Sequence, residues 1–287
     1  MKPIMRRVLF VLAMVLPLHA VALGVLDRIK ATKTLTIAYS PTSYPISFKG
    51  DAGEPRGYSV DLCKRIAASI QRDLGLDKLE VRWVEGNTPR RLAAVANGEV
   101  DMECGTSTVN LARQAQVDFS NIVFVESGGI LTKSKSGIDA LADLAGKRLA
   151  VIPETTTETR LRKELGERLI NAELVPIKDS KDGRERLVAG DVDAVAGDRL
   201  VLIGQVAEAG EVADVADFAI LETEFSLDPY AFALKRNDAD FRLAVNRGLA
   251  LIYRSDEIDR IFERWFGEDA EPTELLSAIF FLYGFVD

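Results

Sequence analysis

Histidine is nearly missing from this 287-residue chain, and the single one, His19, sits in the N-terminal segment. That segment carries Lys2, Arg6 and Arg7, an apolar run from Val8 to Leu18, and Ala20-Val21-Ala22, which has the small-x-small form read by signal peptidase. Residues 1–22 therefore read as a signal peptide, with export to the periplasm and removal of His19. A mature chain without histidine excludes Ser-His-Asp hydrolysis and most zinc enzymes. The apolar run is shorter than the roughly 18 to 20 residues that span a bilayer, so a retained anchor is the weaker alternative. No cysteine follows the run, so a lipoprotein is not indicated. Basic charge is also short: Lys and Arg number 36 against 44 Asp and Glu, a formal charge of −8. Loss of the three N-terminal cations makes the chain more acidic still, which argues against nucleic acid as a partner. Cysteine is limited to Cys63 and Cys104. An oxidising compartment permits them to pair, and two buried thiols are the equal alternative.

What is present is a repeated grammar. Asn97-Gly98-Glu99-Val100-Asp101 leads into Met102-Glu103-Cys104-Gly105-Thr106, and Ala189-Gly190-Asp191-Val192-Asp193 leads into Ala194-Val195-Ala196-Gly197-Asp198. Each copy follows a helix-like segment, turns at a glycine, runs through a short apolar strand and releases the chain past a second glycine. Strands are expected at 34–39, 79–84, 100–104, 148–152, 173–177, 193–196, 218–221 and 230–234. Helices are expected near 59–75, 90–96, 138–144, 156–169, 184–188, 199–208, 238–253 and 256–266. Alternating strands and helices imply mostly parallel sheets flanked by helices. The last two helices have no strands of their own, so the chain is expected to return to its first half through a second crossover, which makes a hinge. The expected fold is α/β with two lobes, 23–127 plus 224–287 and 128–223, joined by two strands. Strand ends of such sheets hold ligands. Thr106, Ser107, Thr108 and Arg113 in one half and Asp198 in the other complement the two ends of a free amino acid.

In this order and spacing, Gly57-Tyr58-Ser59-Val60-Asp61-Leu62, Asn97 through Thr108, Arg113-Gln114-Ala115-Gln116-Val117-Asp118-Phe119-Ser120, Thr155-Thr156-Thr157-Glu158 and Asp193 through Asp198 resemble one family. It is the periplasmic solute-binding proteins of ABC amino-acid importers, extracellular family 3, and within it the glutamate/aspartate-binding branch. The resemblance runs from about Leu35 to Phe266. It implies the type II two-lobed fold, amino-acid capture without chemistry or cofactor, a monomer, and delivery to an inner-membrane permease. Carried over, Arg113 would clamp the ligand α-carboxylate with Thr106, Thr108 and the helix start at Thr155-Thr156, and Asp198 would accept from the α-ammonium. A planar guanidinium and free helix N-terminal amides suit a carboxylate. The bland alternatives are a surface arginine at Arg113 and helix caps at Asp198, Thr155 and Thr156. Tyr44 stands where the family often sets an aromatic against the ligand, or it packs its own loop beside Pro45.

The departures fall at the ligand side chain. Acidic-ligand binders have an arginine where this chain has Ser40 and a histidine where it has Ser180. A second arginine of that branch is matched by Arg91, in a helix opened by Thr88. The ligand is therefore left open between acidic and polar amino acids such as glutamine, asparagine or serine. Two other classes compete. A periplasmic cyclohexadienyl-dehydratase-like enzyme would draw its acid from Glu103 or Glu154. A non-transport partner protein would use the apolar segment Leu275 to Val286 for docking, where packing on its own lobe is the simpler role.

Overall fold

The computed structural model describes residues 24–208 and 215–285; the expected signal peptide lies outside them. The first half holds α1 (Val25–Thr32), β1 (Thr34–Tyr39), a small antiparallel sheet of β2 (Thr42–Ser43), β3 (Ser47–Lys49) and β4 (Pro55–Arg56), then α2 (Tyr58–Asp73), β5 (Glu80–Glu85), α3 (Thr88–Ala96), β6 (Met102–Cys104) and α4 (Leu111–Gln114). The long β7 (Asp118–Lys133) leads to β8 (Arg148–Val151), α5 (Thr156–Glu167), β9 (Glu173–Pro176), α6 (Ser180–Ala189), β10 (Ala194–Asp198), α7 (Arg199–Glu208) and β11 (Phe218–Ile220). The chain then returns through β12 (Leu227–Leu234) to α8 (Ala239–Tyr253), α9 (Glu257–Phe266) and α10 (Glu274–Tyr283).

Strands order as β5-β1-β6-β12-β7-β10-β8-β9, with β11 also paired to β7. The outer pairs at each end are parallel; β12, β7 and β10 meet antiparallel in the middle. One strand thus serves both lobes. The first part of β7 pairs with β12 and its last six residues pair with β10 and β11. A 16-residue strand in two sheets is long for a globular protein and makes the crossover continuous backbone rather than a loose linker. The second crossover lies two or three residues after the expected boundary at 223/224. Phe225 is buried in the second lobe's core and its N–H reaches Gly128 O at 3.3 Å, so the lobe change falls between Phe225 and Leu227.

Helix boundaries follow local chemistry. Asn87 caps α3 by accepting from Arg90 N, with Pro89 in the first turn where a missing N–H costs nothing. Asp179 accepts from Asp182 N and starts α6 four residues before the expected Arg184. The helix expected over 138–144 is only a 3-10 turn, Leu141–Leu144. Its Asp143 carboxylate takes the amides of Asp139 and Ala140, which closes the turn on itself.

The first lobe's core joins α1, α2, α8 and α9 around Leu35, Ile37, Ile66, Phe232, Phe241 and Leu249. Cys63 on α2 and Cys104 on β6 are bridged, which resolves the open choice in favour of pairing. The apolar C-terminal segment divides its faces. Leu276 and Phe280 are buried in the first lobe, Phe280 stacking on Tyr253 at 4.8 Å, while Phe281, Leu282 and Phe285 are exposed. Because the bridge closes a separation of 41 residues, its loss is expected to cost roughly 3 to 4 kcal/mol. Urea unfolding of Cys63→Ser/Cys104→Ser against the parent checks this; equal midpoints would contradict it.

Candidate functional site

The two lobes meet face to face around a cavity of about 270 Å³. Contacts across the gap hold them together: Thr156 Oγ1 donates to Thr108 Oγ1 at 3.2 Å, Gln205 Nε2 to Thr42 O at 3.0 Å and Asn87 Nδ2 to Lys178 O at 3.3 Å. On α7, Gly204 lies so close to the first lobe that a Cβ there would run into the Tyr44 carbonyl and stand 2.8 Å from its Cδ1. This is a closed arrangement, and only glycine permits it at that point.

The topology delivers the expected residues. Parallel β1 and β6 end at the gap, and past β6 the chain lines it with Thr106 and Thr108, both buried. Asn110 caps α4 by accepting from Arg113 N, which aims Arg113 back at the cavity. Arg113 Nη1 donates to Thr108 O at 2.7 Å, and no other hydrogen bond or ion pair from its guanidinium is found among the described residues. Burial lowers its pKa, opposed by Glu103, Asp198 and Asp228. From the facing lobe, β10 ends at Asp198, and the N-terminus of α5 presents Thr155 and Thr156. No direct ion pair joins Arg113 to Asp198, so a space separates a mostly uncommitted cation from a carboxylate.

Asp198 keeps part of its surface toward the cavity although it lies deep between the lobes. Burial pushes its carboxyl up to about 6, against the pull of Tyr230, Arg113 and Thr157, whose hydroxyl donates at 3.5 Å. The strand register explains its company. Asp198 pairs with Gly128 of β7, and Asp228 of β12 stands opposite Glu126 of β7. Three carboxyls and the Tyr230 hydroxyl thereby gather at the crossover. Like charges directly opposite across strands repel. Burial first, then Asp198 and Asp228, raise Glu126 to about 8, although the Ser127 amide donates to it at 2.9 Å. Asp228 is relieved by Ser226 Oγ and by Arg160 Nη1 at 3.6 Å.

Other expected residues fare differently. Thr88, Arg91 and Ser180 line the cavity, as does Ser40. Arg91 is not a free cation, however: it is 1% exposed, with Nε on Glu103 Oε1 at 2.8 Å, Nη1 on Gly86 O at 2.7 Å and Nη2 on Thr88 Oγ1 at 3.1 Å. Thr155 spends its hydroxyl as the cap of α5, accepting from Glu158 N and donating to Ile152 O. Tyr44 does not reach the cavity; its ring packs edge-on against Phe48 at 5.0 Å and beside Gly204, so the loop-packing alternative describes it. Of the two acids considered for an enzyme, Glu103 is locked against Arg91 and Glu154 is exposed at a turn. Sequence reasoning missed Glu126, Asp228, Tyr230 and the role of Glu103. A carboxylate inside an apolar strand was the available signal for Glu103 and Glu126.

Comparison with known proteins agrees with this architecture. Residues 35–268 match the family described as bacterial extracellular solute-binding proteins, family 3. The L-glutamate/L-aspartate-binding protein of Pseudomonas aeruginosa is 31% identical over 253 residues, covering 88% of this chain and 83% of that protein. The ABC transporter glutamine-binding protein of Bacillus subtilis is 25% identical over 224 residues, 78% of this chain and 76% of its own length. Among solved structures, an ancestral arginine-binding protein bound to glutamine superposes with a TM-score of 0.72 at 27% identity, over 82% of this chain and 98% of that one. Two lobes around a shared cavity and a match over most of the described chain lead to one assignment: the chain belongs to the bacterial extracellular solute-binding proteins, family 3.

Proposed function

We propose that the protein captures a free amino acid between its lobes in the periplasm and hands it to an ABC-type permease. The observation that carries this reading is the pair of opposite charges, Arg113 and Asp198, contributed by different lobes to one closed cavity without bonding each other. A zwitterion of α-amino acid geometry fits between them. Its carboxylate takes the free N–H groups of Arg113, with Thr106, Thr108 and the start of α5 as further donors. Its ammonium donates to Asp198. Neither lobe alone supplies both partners, so the bound ligand favours closure by its differential contacts with the closed form. Micromolar affinity requires about 8 kcal/mol net, within reach of a few charge-assisted hydrogen bonds in a water-excluded site. Closure then displays both lobes together as one surface for the permease.

The direct test is a thermal-shift and calorimetric panel of the twenty common amino acids, preceded by mass spectrometry of what co-purifies and leaves on denaturation. At least one amino acid should bind with 1:1 stoichiometry, and Arg113→Met should abolish that binding while leaving the fold intact. A flat panel, or unchanged affinity in Arg113→Met, would contradict the proposal.

The pH dependence has a definite sign. Asp198 must be ionised to accept from the ammonium, and burial pushes its carboxyl up to about 6. Affinity is therefore expected to weaken as pH falls below about 6, approaching about tenfold per unit as one proton must be displaced. Titrations at pH 7, 6, 5 and 4.5 check this, and a flat profile would exclude Asp198 as the ammonium acceptor.

A further inference from the structure

Closure buries whatever charge the ligand carries, so the cavity's own charges decide which side chains it accepts. Beyond the groups that meet the two ends of the amino acid, the polar side chains Ser40, Ser43, Asn87, Thr88, Ser180 and Arg91 line the cavity beside apolar side chains drawn mostly from the second lobe. Five of these are neutral hydrogen-bonding side chains, and Ser40 and Ser43 already share a hydrogen bond at 2.7 Å. Arg91 is the one buried cation of the set, and it is neutralised from behind. Glu103, fully buried on β6, meets its Nε at 2.8 Å, and both terminal nitrogens are held by Gly86 O and Thr88 Oγ1. The pair is built into the strand end: a Cβ on Gly105 would stand 2.5 Å from Glu103 Oε1 and 2.6 Å from Arg91 Nη2.

Among the buried ion-pairing groups around the cavity, each cation and carboxylate has a partner or faces the ligand's ends, while Arg90 and Lys178 line it from exposed positions. Arg91 is matched by Glu103 and Asp228 by Arg160, while Arg113 and Asp198 are taken by the ligand's α-groups. Charged groups at the rim are engaged or solvated. Glu85 pairs with Lys49 at 2.7 Å, Asp179 caps α6, and Arg90 and Lys178 are exposed, where water screens them. An additional carboxylate or ammonium on the ligand side chain would be desolvated with no buried counter-charge, the costliest arrangement for an ion. An amide or hydroxyl would instead find serine, threonine and asparagine partners.

We infer that the site selects amino acids with an uncharged polar side chain, and that Glu103, by cancelling Arg91, is the residue that sets this preference. The inference rests on the amino-acid capture reading and adds the ligand class to it. It departs from the glutamate/aspartate specificity of the Pseudomonas aeruginosa relative.

The test compares affinities for glutamine, asparagine and serine with those for glutamate, aspartate and arginine by calorimetry, on the parent and on two variants. The parent should bind at least one neutral polar amino acid a hundredfold or more tighter than any charged one. Glu103→Gln leaves Arg91 without its counter-charge and should shift the neutral-to-acidic affinity ratio tenfold or more toward glutamate or aspartate. Should that variant fail to fold, Arg91→Gln/Glu103→Gln removes both charges, leaves the net charge unchanged and should keep the parent's ratio within about threefold. Tighter binding of glutamate, aspartate or arginine by the parent would overturn the ligand class while leaving capture intact. An unshifted ratio in folded Glu103→Gln, or a tenfold shift toward acidic ligands in the double variant, would overturn the role of Glu103. Absence of any amino-acid binding by the parent would instead remove the capture reading beneath it.

Discussion

A guanidinium and a carboxylate held on opposite sides of a gap are the constraint around which this molecule is organised. Arg113 is aimed by the Asn110 cap on one lobe, and Asp198 ends a strand of the other. Asp198 lies deep between the lobes without a direct ion pair to Arg113, and burial raises its carboxyl to about 6. In the proposed binding mode, a ligand with a charge at both ends would lie between them and compensate each group. The hinge, the short contacts between lobes and the glycine at 204 all serve to let the two sides come that close.

The crossover strands contribute a second electrostatic feature. Because β7 belongs to both sheets, the register that places Asp198 against Gly128 also places Asp228 against Glu126. Three carboxyls therefore converge where the strands cross between the lobes, with Arg160 as the compensating cation for Asp228. Burial first, and then the neighbouring Asp198 and Asp228, push Glu126 up to about 8. A raised carboxyl there lessens the like charge that meets across these strands. In the proposed binding mode, a ligand ammonium beside Asp198 would act in the same direction.

Much of this was legible from residues alone, because the deciding signals are local. The two glycine-turn-strand echoes gave β6 and β10 and the chain exits that carry Thr106 and Asp198. The lack of strands near the last helices gave the second crossover. Boundaries set by capping were less visible: Asp179 starts α6 before its apolar residues begin, and Asp143 folds a helix-like pattern into a single 3-10 turn. Long-range contacts were invisible. Nothing near Tyr44 says that it will face Phe48 and Gly204 rather than the cavity. Nothing near Arg91 says that Glu103, twelve residues on and across a strand, will absorb its charge.

The account stands most directly on the requirement for both charged ends of the ligand. Once the bound amino acid is identified, calorimetric titration of that compound beside its N-acetyl and α-amide derivatives measures the requirement. Tight 1:1 binding of the free amino acid with a loss of a hundredfold or more for each derivative is the expected result. Comparable affinity for either derivative would show that Arg113 and Asp198 do not grip the two ends, and would contradict the account at its centre.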